Sequence, residues 1–220
     1  MRVIKYARIE KDSVKESEPA PFDGNDEEEN RIVNVTDVTR QNVMGFGGAF
    51  TDSSAFNYAR LGKKERKKAL EMLFGSTGLG YSFCRVPMGS SDFSPYMYDN
   101  AKSESDFDIN DDKKYKIPFI KDALLFTGGK LRLFASPWSP PAFMKDNAER
   151  LHGGKLKKEF YVLWAECFCK FIDAYAAEGI EIYAVTLQTE LDWVYFRVMR
   201  ARIMSRRAVS GRSRFSVTMF

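Results

Sequence analysis

Strand-like and helical periods take turns along residues 31–190, and this alternation restricts the chain to a parallel α/β sheet more firmly than any single residue does. Residues 31–39 alternate as a strand with one covered face. Residues 81–86, 131–135 and 181–187 are β-branched or aromatic runs of strand length. Between them lie helical patterns over 62–74, 117–126 and 157–177, stopped by Gly75 and Gly78, by Gly128 and Gly129, and by Gly179. The last is the clearest: Phe160, Leu163, Trp164, Cys167, Phe168, Phe171, Ile172 and Tyr175 follow the i, i+3, i+4, i+7 rule and read as a core-facing stripe. A sheet built this way is parallel, whether open or closed.

Polar clusters follow the strands rather than precede them: Thr51 and Asp52, Ser90 to Asp92, Ser136 to Trp138, and Thr189 with Glu190. Barrel enzymes assemble active sites at that end. Glu190 comes directly after the apolar run that ends at Leu187, where partial burial can lift a carboxyl far enough to donate a proton; a turn residue or a helix cap is the other reading. Trp138 stands among Pro137, Pro140 and Pro141, which restrict its backbone, so it either stacks on a sugar face or packs as core. The polar stretch 95–116 is too long for a connector and is expected to belong to a site. The glycine-rich stretch 44–52 has neither Gly-x-Gly-x-x-Gly nor a following Gly-Lys-Ser/Thr. Its glycines are expected to let a strand pass close under neighbouring backbone. His152 is the only histidine, which leaves a metal centre or a Ser-His-Asp arrangement without support. An acid, a second carboxylate and a fixed tryptophan, without metal ligands or a nucleotide loop, suit a carbohydrate site.

With 220 residues and 44% hydrophobic content, the chain is long enough for one domain or part of one. Its net charge of +4 is unevenly placed: residues 1–190 hold 27 Lys and Arg against 29 Asp and Glu, whereas 191–220 hold 7 Arg, no Lys and one Asp. A nucleic-acid role therefore has only the tail to rest on, and the basic run Lys63 to Lys68 reads as a solvated helix face. Cys84, Cys167 and Cys169 are expected to be buried free thiols. Residues 1–30 read as a flexible polar leader, 31–190 as the folded part and 191–220 as an Arg-rich tail. No apolar run is long enough for a membrane helix and no signal-peptide block opens the chain, which makes a cytoplasmic location the default expectation.

Four motifs then resemble glycoside hydrolase family 30, and within it the glucosylceramidases. They are Gly-Phe-Gly-Gly-Ala-Phe-Thr-Asp at 45–52, Arg-Val-Pro-Met-Gly-Ser-Ser-Asp-Phe-Ser at 85–94, Ala-Ser-Pro-Trp-Ser-Pro-Pro-Ala-Phe-Met-Lys at 135–145, and Ala-Val-Thr-Leu-Gln-Thr-Glu at 184–190. The resemblance implies a partial (β/α)8 TIM barrel, about its first four strands, with an N-terminal strand of an accessory β-domain. It also implies a retaining β-glycosidase that uses two carboxylates and no cofactor, acting on a β-glucoside or glucosylceramide-like substrate. On it, Glu190 matches the acid/base, Asp92 and Trp138 match contacts to the terminal glucose, and Arg85 matches an arginine that supports the catalytic carboxylates. Thr189 stands where the family has an Asn that contacts the sugar 2-hydroxyl, and Leu191 where it has Pro. No residue matches the nucleophile. The tail is expected to come from a shifted reading frame or a damaged gene, to leave the edge of the fourth strand unpaired, and to render the chain inactive by itself. Rival readings are a carbohydrate-binding remnant that cleaves nothing and a nucleic-acid binder acting through the tail. The aglycone and the oligomeric state are open.

Overall fold

The glycines of 44–50 do what their spacing suggests. In the computed structural model, Gly47 passes so close to β3 (Phe83–Met88) that an added Cβ would lie 2.1 Å from the carbonyl oxygen of Phe83. Residues 46–50 thereby form the first line of a parallel sheet. Phe50 N donates to Arg85 O at 2.8 Å, Arg85 N to Gly48 O at 3.0 Å, and Ser82 N to Phe46 O at 2.9 Å. The structure describes residues 5–10, 13–17, 38–39, 41–186 and 216–218, and the chain divides into two units, 1–42 and 43–220.

The first unit holds an antiparallel pair, β1 (Lys5–Glu10) and β2 (Ser13–Ser17), with Lys5 opposite Ser17 and Glu10 opposite Ser13. This pair lies within the stretch read as a flexible leader: its polarity hid strands that are joined by only two residues. Most of the strand expected over 31–39 lies outside the described residues, and Val38 and Thr39 belong to no regular element.

In the second unit, β3 is followed in the sheet by β4 (Arg132–Pro137), β5 (Ala184–Thr186) and β6 (Ser216–Thr218), all parallel. β3 and β4 run in register from Phe83 opposite Arg132 to Met88 opposite Pro137. Both strands extend beyond the runs expected from sequence, through Pro87 in one and to Pro137 in the other. The edge of β5, expected to be unpaired, carries β6 instead. Val217 and Thr218 are β-branched, and Ser216–Thr218 supply the backbone groups that an open edge lacks.

Helices separate the strands. α1 (Asp52–Arg60) was not evident from periodicity; Thr51 caps it, its Oγ1 accepting from Ser54 N at 3.2 Å. α2 (Lys63–Phe74) buries Leu70 and Phe74 and leaves Lys63, Lys64, Lys67 and Lys68 in solvent, a solvated face as its composition suggests. Arg66 is the exception in that basic run: its guanidinium donates to Ala59 O at 2.5 Å and Leu61 O at 3.0 Å, closing the end of α1. α3 (Asn110–Lys114) and α4 (Lys116–Phe126) link β3 to β4, and α5 (Tyr161–Ala177), entered through a 3₁₀ turn at Lys158–Phe160, links β4 to β5. Trp164, Cys167, Phe168, Phe171, Ile172 and Tyr175 of α5 are buried, as their spacing requires, in one cluster with Val86, Leu133, Ala135, Ile120 and Val185. All three cysteines are buried and free. Among the described residues no helix is long and apolar enough to cross a membrane. The result is an α/β fold whose parallel strands and intervening helices make up part of a TIM barrel.

Candidate active site

Met88 and Pro137 are register partners at the ends of β3 and β4, so the chain that leads to Asp92 and the chain that carries Trp138 leave the sheet side by side. β5 runs parallel beside β4, with Ala135 opposite Val185. Thr189 and Glu190 follow it but lie outside the described residues.

Arg85 sits on β3, half-buried, and its Nε is buried without a hydrogen-bond partner among the described residues. Burial pulls its guanidinium below the ordinary arginine value, while the Asp92 carboxylate pulls in the opposite direction. Asp92 therefore lies close enough for its charge to act on Arg85. Asp92 itself is exposed, and Trp138 is half-buried and in contact with neighbouring groups.

The turn carrying Asp92 is held from below. Ser91 N donates to Ser94 Oγ at 2.9 Å, Phe93 N to Ser91 Oγ at 3.1 Å, and Ser53 N to Phe93 O at 3.0 Å. Ser94 Oγ in turn donates to Asp52 Oδ2 at 2.6 Å. Asp52, one of the polar groups noted at a strand exit, is thus buried and braces the turn instead of facing solvent.

Behind it lies a charge network that periodicity did not reveal. Lys116 Nζ is fully buried, 3.2 Å from Asp52 Oδ1 and 2.9 Å from Asp112 Oδ1, and it donates to Pro87 O at 3.2 Å and Tyr98 Oη at 2.8 Å. The Tyr98 hydroxyl stands 2.9 Å from Asp52 Oδ1 and 2.5 Å from Asp112 Oδ1, and Tyr175 Oη donates to Asp112 Oδ2 at 3.0 Å. Burial, followed by the adjacent carboxylates, raises both phenols well above their ordinary value, so both remain protonated donors. The one signal in the sequence was the i, i+4 spacing of Asp112 and Lys116. The polar stretch 95–116, expected to belong to a site, supports the strand exits through these buried contacts.

Among the described residues no group of three His, Cys, Asp or Glu could hold a metal ion; His152 is exposed and pairs with Glu149 at 2.8 Å. An apolar cavity of about 480 Å³ opens elsewhere, between α1, α2 and residues 48–50, and no charged side chain lines it. It is separate in character from the polar strand exits.

Residues 43–198 match the family model of the glycosyl hydrolase family 30 TIM-barrel domain. The matched stretch starts later and runs further into the tail than the folded part expected at 31–190. The chain is 40% identical to the lysosomal acid glucosylceramidase of Mus musculus over 160 residues, which are 68% of this chain and 31% of that protein. Among solved structures it is similar to SrfJ from Salmonella typhimurium, at 29% identity and a TM-score of 0.75 over 81% of this chain and 44% of that one. It is also similar to the endo-β1,6-glucanase BT3312, at 29% identity and a TM-score of 0.71 over 82% of this chain and 44% of that one. The chain spans about a third of the length of its curated relative and under half of each solved chain.

Proposed function

From a chain that belongs to glycosyl hydrolase family 30, we propose that the strand exits form part of the substrate site of a retaining β-glycosidase that acts on β-glucosides, of the glucosylceramidase type. In this reading Glu190 is the general acid/base, Asp92 and Trp138 hold the terminal sugar, Thr189 approaches its 2-hydroxyl, and Arg85 supports the carboxylates. The observation that carries it is the placement of Arg85, a half-buried cation whose buried Nε is unpaired among the described residues, within the field of Asp92 just past the C-terminal end of a parallel strand, beside the exit that bears Trp138. A retaining mechanism needs a second carboxylate about 5 Å from the first. In this reading no residue of the chain matches that second carboxylate.

The experiment is titration of the chain with 4-nitrophenyl β-D-glucoside, followed by tryptophan fluorescence. Binding is expected, and Trp138→Ala should weaken it about tenfold, since an aromatic face on a sugar is worth roughly 1 kcal/mol beyond its area. Asp92→Asn should weaken it similarly. Absence of binding, or affinity unchanged in both variants, overturns the reading. Thr189, which lacks the amide of the family's Asn, favours a second reading in which the chain binds sugars without cleaving them. Binding with no release of 4-nitrophenol on mixing with saturating glucoside selects it.

A further inference from the structure

Arg150 lies twelve residues beyond Trp138 in a surface loop, and nothing in the strand-exit motifs singles it out. Its side chain is nevertheless only 10% exposed. Nη2 donates to Ser90 O at 2.6 Å, and Nη1 pairs with the Asp99 carboxylate. Ser90 and Asp99 flank the loop that carries Asp92. Its neck is already drawn together: Ser90 N and Ser90 Oγ donate to Tyr98 O at 3.1 and 2.8 Å, and Tyr98 N donates to Ser90 Oγ at 2.9 Å. Gly89, beside the guanidinium, takes φ +71°, a left-handed conformation that favours glycine. The guanidinium therefore grips both sides of one loop at its base.

The backbone of Arg150 is fastened to the other exit. Buried Lys145 donates from Nζ to Arg150 O at 3.2 Å and to Ser139 Oγ at 3.4 Å, and Ser139 directly follows Trp138. A continuous path of polar contacts thus runs from Trp138's neighbour through Lys145 and Arg150 to both sides of the Asp92 loop. Burial lowers the Arg150 guanidinium to about 10, so it stays charged at neutral pH. A planar cation with two donors in contact can hold a carbonyl and a carboxylate at once, which a lysine ammonium reproduces poorly.

We propose that Arg150 is a positioning residue that fixes the spacing between Trp138 and Asp92, the two candidate sugar contacts, by tying their loops together. The sugar-binding part of this inference rests on the functional reading above; the tie between the loops does not.

Two measurements on the whole chain decide it. In Arg150→Met, backbone hydrogen exchange should accelerate together in 89–99 and in 138–145, about tenfold to a hundredfold for the loss of a charge-assisted pair, while β4 and α5 keep their protection. Affinity for 4-nitrophenyl β-D-glucoside should fall about tenfold, Arg150→Lys should restore only part of it, and added ethylguanidinium should recover binding in Arg150→Ala. A purely structural role would not be rescued by a soluble guanidinium. Faster exchange in one loop alone, or unchanged affinity in Arg150→Met, overturns the proposal. If the unaltered chain binds no glucoside, the functional reading and the sugar-spacing claim fall together, and the exchange data alone decide the tie between the loops.

Discussion

Lys116 shows most directly what a single side chain decides here. Its ammonium is fully buried between Asp52 and Asp112 and donates to the Tyr98 hydroxyl, so both carboxylates depend on it for charge compensation. Lys116→Met would fill similar volume while leaving two carboxylates buried against each other's field, which costs on the order of 3–5 kcal/mol. Urea denaturation should show a midpoint shift of that size with little change in slope. A shift under about 1 kcal/mol would mean that solvent already reaches the cluster. The same loss should loosen the turn that carries Asp92, because Asp52 is the acceptor for Ser94. Arg85 differs: its buried Nε has no hydrogen-bond partner among the described residues, whereas most buried donors have one.

At the scale of elements, α5 carries much of the core and α4 spans the gap between β3 and β4. Phe168 is completely buried on α5, in edge-to-face contact with Trp164 at 5.3 Å between ring centroids. Phe168→Ala should cost about 3–5 kcal/mol through lost burial and the cavity left behind, visible as a large fall in melting temperature. The helices are also joined at the surface, where Glu178, just past α5, pairs with Lys113 at 3.0 Å and with Lys121 at 2.8 Å. Those lysines hold its carboxyl below the ordinary 4.5. A depressed folded value means that this contribution is complete above the ordinary carboxylate range and disappears as pH falls through the folded one. Thermal melts should therefore be flat from pH 7 to about 5 and decline below about 4. Glu178→Gln should reduce the steepness of that decline; an identical acid limb in the variant would assign it to other carboxylates.

For the whole molecule, residues 46–50 bond to β3 and have no second strand beside them among the described residues, while Phe46 is 74% exposed and Leu79 62% exposed. Together with the apolar cavity bordered by residues 48–50, these side chains present hydrophobic surface to solvent. Sedimentation velocity should reveal association that grows with concentration from micromolar upward, and Phe46→Ser with Leu79→Ser should suppress it. A monodisperse monomer at every concentration would contradict that. The alternation of β3, α4, β4, α5 and β5, the core stripe of α5 and the close approach of Gly47 were all legible in the chain, because periodicity and glycine spacing report contacts between near neighbours. The strand exits could be located for the same reason: a strand's end is a local event. What the sequence left hidden was α1, the pairing of β5 with β6, the Lys116 cluster and the grip of Arg150. Residues 52, 98, 112, 116 and 175 meet only after the sheet forms, and residues 90, 99 and 150 only after two loops have left it together. No local period records such meetings. Sequence alone therefore determined the main strands and helices between residues 62 and 187, whereas tertiary structure decided which charged groups are buried and what they hold in place, because burial of an ion is settled by partners far away along the chain.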